Sequence, residues 1–240
     1  MGDRDIVRKP LHGIFTSVTP QYDLINHVMT LGLDFGWRRK AVRACLEGAP
    51  GTVLDLCCGT GDLGFGIAAA ANFPTRIVGL DYSVPMLEAA RRKAGRAPRP
   101  ARPFFVLGDV SGLPFAPGCF DCIGISFAFR NLTYKNPLSE KFLAEILRVL
   151  KTGGRFVIVE TSQPSNPLIR VFHRAFLRGF VIPVGALLSD CPQAYRYLAD
   201  SAARYYGAEE MVRFLQAAGF RRAEAKRMFF GAAAVYAAWK

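Results

Sequence analysis

Short apolar runs alternate with amphipathic stretches along most of the chain. Five runs rich in apolar and β-branched residues predict buried strands, at 52–56, 76–80, 104–107, 120–127 and 155–159. Between them, apolar residues recur at helical spacing, most clearly at 83–93 and 138–150. Two final runs, 220–228 and 232–239, flank Gly231 and predict an antiparallel hairpin at the sheet edge. This order of elements indicates an α/β fold built on a largely parallel sheet.

Two regions interrupt the alternation. Residues 1–50 precede the first strand, and we expect them to form a helical cap over the site, with a helix from about Phe35 to Leu46. Residues 161–207 read as a helical insertion after the fifth strand. Neither region has a pattern of its own that indicates a separate unit, so residues 1–240 are predicted to form one domain.

Within the insertion, residues 168–179 predict an amphipathic basic helix. Apolar residues fall on one face and arginines on another, the latter at Arg170, Arg174 and Arg178. Such a helix can lie on a membrane surface or line an apolar tunnel. Packing as a lid on the domain is the alternative, and the sequence does not separate these.

Composition narrows the class of protein. The chain has 240 residues, 51% of them hydrophobic, and a formal net charge of +12. That charge suits nucleic acid or an anionic membrane surface, or serves solubility alone. No secretory signal and no run long enough to span a membrane is evident, so we expect a cytoplasmic protein, in peripheral contact with the inner face of the membrane. Six cysteines are present, and Cys119 and Cys122 lack the partners of a zinc site, so reduced thiols and no metal are expected.

A glycine turn between the first strand and the next helix organises the predicted site. Gly59, Thr60 and Gly61 form the turn, and Asp62 is placed to cap the helix that follows. With Gly64 the pattern is G-x-G-x-x-G, which alone would indicate a dinucleotide. Asp55, however, ends the first strand and would repel a pyrophosphate.

The positions of the polar residues favour S-adenosylmethionine (SAM) over NAD. Polar side chains stand at or just beyond four successive predicted strands, at Asp55, Asp81, Asp109 and Ser126. Because the carboxyl ends of parallel strands meet at one edge, these side chains are expected to converge there. Asp55 suits a ligand with an amine or sulfonium, Asp81 can accept both ribose hydroxyls, and Asp109 with Val110 suits an adenine.

Several segments resemble the UbiE/MenG family of class I SAM methyltransferases, which methylate a ring carbon of polyprenylated quinols. The resemblance rests on FTSVTPQYDLINHVMTLGLDFGW at 15–37, LDLCCGTGD at 54–62, LPF at 113–115, FAFRN at 127–131, RVLKTGG at 148–154 and AAGF at 217–220. It implies a Rossmann-like, doubly wound, seven-stranded sheet with the last strand antiparallel. It also implies SAM contacts at Thr60, Asp81, Asp109, Val110 and Ser126.

Three departures from the family pattern lie where substrate would bind. The family commonly has His-Arg at Asp34-Phe35, Gly-Leu at Ala128-Phe129 and Phe-Ser at Thr161-Ser162. They leave the cofactor expectation intact and bear on which quinone is the substrate. The implied substrate is a polyprenyl quinol, either demethylmenaquinol or a related benzoquinol.

The expected chemistry is SAM-dependent C-methylation. Arg130 with Asn131 would stabilise the phenolate that forms on the quinol. Tyr22, Asp23, His27 or a water would take the proton, and position favours Asp23.

Other functions stay open at this point. They are methylation of another lipid or of RNA, hydride transfer with NAD, and SAM binding without catalysis. Against RNA, the chain has no N/D-P-P-Y motif, and its aromatic residues do not interleave with basic ones, so no nucleic acid is expected. Self-association as a homodimer is also left open.

Overall fold

A seven-stranded sheet forms the centre of the protein, as a computed structural model gives it for residues 27–96, 102–188 and 192–240. The strand order is β3-β2-β1-β4-β5-β7-β6. Strands β1 to β5 pair in parallel, and β7 runs antiparallel to both β5 and β6. The strands are β1 (Thr52–Leu56), β2 (Arg76–Asp81), β3 (Phe104–Leu107), β4 (Phe120–Ser126), β5 (Leu150–Thr161), β6 (Arg222–Met228) and β7 (Ala233–Trp239). The predicted doubly wound α/β class is confirmed.

Helices flank the sheet and build the insertion. They are α1 (Leu33–Leu46), α2 (Asp62–Ala70), α3 (Val84–Arg96), α4 (Phe129–Thr133), α5 (Ser139–Val149), α6 (Pro167–Phe176), α7 (Ile182–Leu188), α8 (Pro192–Ala202) and α9 (Ala208–Ala217). A π-helical turn, Leu177–Val181, joins α6 to α7, and a 3₁₀ turn, Phe229–Gly231, joins β6 to β7. Within the three described ranges, no helix combines the length and apolar character needed to cross a bilayer.

The two faces of the sheet bury separate hydrophobic clusters. Side chains alternate along a strand, so Leu54 joins one cluster and its neighbour Val53 joins the other. The larger cluster includes Ile146 of α5 and Leu215 of α9, and the smaller includes Ala41 of α1. Burial on both faces explains why these strands read as continuous apolar runs.

Strand β5 begins earlier than its sequence indicates. Helix α5 ends at Val149, and Leu150 already pairs with Phe120 of β4. Residues 151–154, which follow the predicted helical stretch 138–150, lie inside the strand, where Gly153 has a φ of 75° and the pairing with β4 shifts register. Two glycines indicate a loop by composition, yet here they form an irregular strand start.

Candidate cofactor and substrate site

Four polar side chains lie at the carboxyl edge of the parallel strands. Asp55, Asp81 and Ser126 stand at or next to the ends of β1, β2 and β4, and Asp109 follows β3. The register of β1 with β2 pairs Asp55 with Gly79. The topology thus brings the predicted set to one edge, which is where open α/β sheets bind ligands.

The turn between β1 and α2 contains two glycines, at which no side chain covers the backbone. Cys57, Gly59 and Gly61 have positive φ values of 53°, 53° and 86°. A Cβ at Gly61 would come within 3.0 Å of the Phe65 ring, so glycine is required there. The space where a Cβ at Gly59 would stand has no atom within 4 Å. A ligand can therefore approach the main chain closely at Gly59.

Asp55 fastens helix α2 to strand β1. Its carboxylate is 1% exposed, and Oδ2 accepts the Gly64 backbone N–H at 2.8 Å. A Cβ at Gly64 would lie 3.1 Å from that oxygen, which explains the third glycine of the motif as a packing requirement. Burial raises the pKa of Asp55 to about 7, and the Gly64 hydrogen bond only partly opposes this. The site thus contains a desolvated carboxylate with little compensation.

Asp81 organises the glycine turn from the neighbouring strand. Its Oδ2 accepts the Gly59 N–H at 2.8 Å and its Oδ1 accepts the Ser83 N–H at 2.9 Å. Burial raises the pKa of this carboxyl, and the backbone bonds oppose the rise. The Ser83 hydroxyl, just before α3, is buried and makes no hydrogen bond within the part of the chain that the structure describes. Three backbone N–H groups, those of Gly59, Ser83 and Tyr82, bond this carboxylate and leave about one of its four lone pairs for a ligand.

Asp109 and Val110 lie in a tight turn after β3. Asp109 Oδ1 accepts the Ser111 N–H at 2.7 Å, and Asp109 bridges to Gly112. The Val110 side chain is 5% exposed within the larger hydrophobic cluster. Their contact with an adenine stays a prediction.

Arg38 joins the α1 helix to the glycine turn, a role the sequence did not reveal. Its Nη1 donates to Asp62 Oδ2 at 3.0 Å, and its Nε donates to Ser126 Oγ at 3.3 Å. Lys93 Nζ binds the other Asp62 oxygen at 2.8 Å, and these two cations hold the pKa of Asp62 below its usual value against the opposing effect of burial. The prediction that Asp62 caps α2 is therefore wrong: no side chain caps the helix, and Gly61 is its N-cap residue.

A histidine–carboxylate pair lies at the start of α1. Asp34 is 1% exposed and accepts the Thr30 hydroxyl at 2.8 Å, while His27 Nδ1 lies 2.7 Å from its other oxygen. The arrangement favours a proton on Nδ1 and leaves Nε2 as the basic nitrogen of neutral His27. Tyr22 and Asp23, the other predicted proton acceptors, lie outside the described residues.

Arg130 forms a buried ion pair with Glu160. Its side chain is 5% exposed, and Nη1 donates to Glu160 Oε1 at 3.0 Å and to Thr161 Oγ1 at 2.7 Å. The other Glu160 oxygen accepts the Arg130 backbone N–H at 3.1 Å. No local signal in the sequence indicates this pairing, because the two residues lie 30 positions apart.

Two buried polar atoms in neighbouring residues, one of them on the arginine of that ion pair, have no hydrogen-bond partner among the described residues. Arg130 Nε and Asn131 Oδ1 are both buried, and neither makes a hydrogen bond within the described structure. Buried polar atoms are nearly always bonded in folded proteins, so each of these two atoms indicates a place where a ligand or water binds.

Tyrosines from the insertion approach the same ion pair. Burial raises the pKa of Tyr197, while the nearby Arg130 opposes the rise. Tyr205 also has a raised pKa from burial, and its hydroxyl lies 2.6 Å from that of Thr133. Aromatic residues from beyond β5 thus border the Arg130–Glu160 pair.

Comparison with known proteins places the chain among methyltransferases. Residues 4–240 match the ubiE/COQ5 methyltransferase family. A demethylmenaquinone methyltransferase of Thermus thermophilus is 37% identical over 93% of this chain and 98% of its own length. The enzyme of that name from Lactiplantibacillus plantarum is 35% identical over 94% of both chains. A ubiquinone/menaquinone biosynthesis C-methyltransferase of Geobacter sulfurreducens is 36% identical over 94% of this chain and 86% of its own.

Solved structures share the fold at lower identity. A SAM-dependent methyltransferase of Thermotoga maritima superposes with a TM-score of 0.64 at 19% identity, covering 95% of this chain and 99% of its own. A SAM-dependent methyltransferase of Aquifex aeolicus gives a TM-score of 0.52 at 18% identity, covering 78% and 80%. These likenesses establish the architecture.

Proposed function

The chain belongs to the ubiE/COQ5 methyltransferase family, and from that premise we propose that it methylates a ring carbon of a polyprenylated quinol. It is a SAM-dependent methyltransferase that acts in quinone biosynthesis. Demethylmenaquinol is the proposed substrate, because relatives that align over almost their whole length carry that activity in their names. A benzoquinol is the second candidate, since another relative is named for both quinones.

The carboxyl edge fits SAM. Open space beside Gly59, the remaining acceptor capacity of Asp81 and the Ser83 hydroxyl, which has no partner among the described residues, support binding of a nucleoside. When bound, SAM supplies a methyl group on a positively charged sulfur. The residues proposed to hold it lie along the ends of β1 to β4: Asp55, Gly59, Thr60, Gly61, Asp81, Asp109, Val110 and Ser126.

The orphaned atoms of Arg130 and Asn131 carry the substrate proposal. A quinol carbon becomes nucleophilic when the adjacent hydroxyl loses its proton, so an enzyme must stabilise the resulting phenolate. Arg130 Nε–H is a buried, charge-assisted donor with no partner, and it would donate to that oxygen. Glu160 acts as a positioning residue, because it holds the guanidinium from the opposite side.

The proton acceptor is proposed from the N-terminal region. Asp23 and Tyr22 are the residues proposed from the sequence, with Asp23 preferred. His27 is the alternative, since Asp34 orients its ring and leaves Nε2 basic. Arginine itself stays protonated and is unsuited to this step.

Contact with a membrane is proposed through residues 168–179, because a polyprenyl substrate resides in lipid. The apolar side chains Leu168, Val171 and Phe172 are exposed there.

The substrate claim is tested by methyl transfer to defined acceptors. The purified protein is incubated with methyl-labelled SAM and chemically reduced demethylmenaquinone, the oxidised quinone, a benzoquinol or tRNA, and products are identified by mass spectrometry. We expect label on the ring carbon of the reduced naphthoquinol and none on the oxidised form. Label in RNA with none in a quinol would overturn the proposal.

Replacing Arg130 tests the residue on which the substrate proposal depends. Arg130→Lys keeps the charge opposite Glu160 but loses the planar donor array. We expect kcat to fall by roughly 100-fold or more, the size of effect seen when an oxyanion donor is removed. Arg148→Lys is the matched control, because Arg148 also binds a carboxylate, Glu145, away from the site. Normal turnover in Arg130→Lys would remove Arg130 from the mechanism.

A further inference from the structure

Two exposed phenylalanines occupy a strained turn at the end of the β6–β7 hairpin. Phe229 and Phe230 have φ values of 43° and 55°, in the left-handed region that side chains other than glycine rarely adopt. Phe229 is 52% exposed and Phe230 is 75% exposed. Backbone strain of this kind clusters at active sites and ligand-binding regions. The strained turn with its exposed rings is therefore a candidate for a functional contact.

The turn lies next to the start of helix α6. A Cβ at Gly231 would come 3.2 Å from Cα of Pro164, in the segment that leads into α6. Arg170 of α6 folds back onto that segment, and its Nε donates to the Pro164 carbonyl at 2.9 Å. The Ser162 N–H, just past the end of β5, donates to the Ala232 carbonyl at 2.9 Å. The turn and α6 thus adjoin at the carboxyl edge that carries the site.

Helix α6 directs an apolar face outward. Leu168, Val171 and Phe172 recur at helical spacing and are 64%, 63% and 67% exposed. The opposite side is only half-buried, at Ile169, His173 and Phe176. An amphipathic helix of a globular protein normally turns its apolar stripe inward, so this face is unpartnered within the described structure.

Cationic side chains flank the same face. Arg174 and Arg178 are exposed along α6 and its π-helical continuation. Arg227, near the hairpin turn, is paired with Glu209, so these two arginines supply the positive charge of the surface. Apolar side chains beside arginines match the interface of a bilayer that contains anionic lipid. The chain carries a formal net charge of +12. This excess of positive charge favours an anionic bilayer over a second protein chain as the occupant of the face.

We propose that the Phe229–Phe230 turn and the outer face of α6 form a single bilayer-docking surface for anionic lipid. Binding through this surface places the carboxyl edge of the sheet against the leaflet, so that a polyprenyl quinol reaches Arg130 without crossing water. This inference rests on the proposed lipid substrate and adds a second element, the hairpin turn, to the contact made by α6.

Vesicle binding tests the surface directly. Full-length wild type, Phe230→Ser, Phe172→Ser and the double variant are sedimented with phosphatidylcholine vesicles with or without phosphatidylglycerol. We expect binding to need the anionic lipid, and each substitution to weaken it about tenfold, as loss of one buried aromatic ring predicts. Phe104→Ser is the matched control, because Phe104 is 68% exposed at the start of β3 and outside this surface. It should bind vesicles as wild type does.

Turnover separates the docking surface from the proposed function. The double variant should lose activity on a long-tailed quinol in vesicles and keep wild-type turnover on a short-tailed quinol in solution. Wild-type vesicle binding by the double variant, or equal loss in Phe104→Ser, would overturn the docking surface. So would a change from dimer to monomer with vesicle binding intact, which would make a second copy the occupant. No methylation of any quinol by wild type would instead overturn the proposed function.

Discussion

Two buried carboxylates at the same edge of the sheet are held in opposite ways. Asp55, at the end of β1, is 1% exposed and accepts the Gly64 N–H, with burial raising its pKa to about 7. Glu160, in β5, is fully buried and accepts from Arg130 and Thr161. Among the described residues, the first carboxylate has a hydrogen bond but no ion pair, whereas the second is paired with a cation that keeps a spare donor.

The two environments match the two charged groups of methyl transfer, a cationic cofactor and a substrate oxygen that becomes negative. On the cofactor side, an uncompensated carboxylate favours a cationic ligand such as SAM. On the substrate side, the spare Arg130 Nε–H favours an oxygen that becomes negative. We therefore propose that the fold separates the two charges of the reaction, the cofactor's at β1 and the substrate's at the β4–β5 end of the edge.

The largest expected effect comes from breaking the Glu160 pair. Glu160→Leu leaves the Arg130 charge buried and unpaired, which should lower the free energy of unfolding by about 3–5 kcal/mol. Removing both charges, in Arg130→Met with Glu160→Leu, should restore most of that loss and still abolish turnover. Urea unfolding of the two single variants and the double variant measures this. A loss below about 1 kcal/mol in Glu160→Leu would mean that the pair is not buried as described.

At Asp55, in contrast to Glu160, we expect removal of the carboxylate to stabilise the protein, and the effect depends on pH. The folded protein holds this proton up to about pH 7, while the unfolded chain releases it near pH 4, so the folded state binds more protons in between. Stability from this group is therefore present below pH 4 and is lost as pH rises through 7. Asp55→Asn should remove that slope and raise the free energy of unfolding above pH 8 by up to about 4 kcal/mol.

Unfolding curves of wild type and Asp55→Asn, recorded from pH 4 to pH 9 without SAM, measure the difference. The difference between the two proteins isolates Asp55 from Asp81, whose pKa is also raised by burial. Parallel curves over the whole range would contradict a proton held at Asp55.

The cofactor side could be predicted from the sequence more fully than the substrate side. Strands β1 and β3 have the predicted bounds, because a continuous apolar run and a glycine turn are local signals. Gly64 is explained only by the structure, since its need for space depends on Asp55 across the helix–strand contact. Strand β5 starts five residues before its predicted position, because two glycines resemble a loop in composition.

Pairings between distant residues account for most of what the sequence did not reveal. Arg38 binds Ser126 from 88 residues away, and nothing in the run Arg38-Arg39-Lys40 distinguishes it. Glu160 and Arg130 are 30 residues apart and meet only because β4 and β5 pair. The role predicted for Arg130 came from a motif rather than from its contacts, and it stays a prediction.

The central claim is that cofactor and substrate bind at separate parts of the carboxyl edge of the sheet. Equilibrium titration of wild type, Asp81→Asn and Arg130→Lys with SAM tests this claim most directly. Asp81→Asn should weaken SAM binding by roughly 10- to 100-fold, as expected for lost hydrogen bonds to a charged group. Arg130→Lys should leave the SAM Kd within about twofold, because it acts on the other side of the edge. Asp121→Asn is the control for backbone support, since Asp121 bonds the Thr52 N–H at the opposite edge. Unchanged affinity in Asp81→Asn, or an equal loss in Arg130→Lys, would contradict the account.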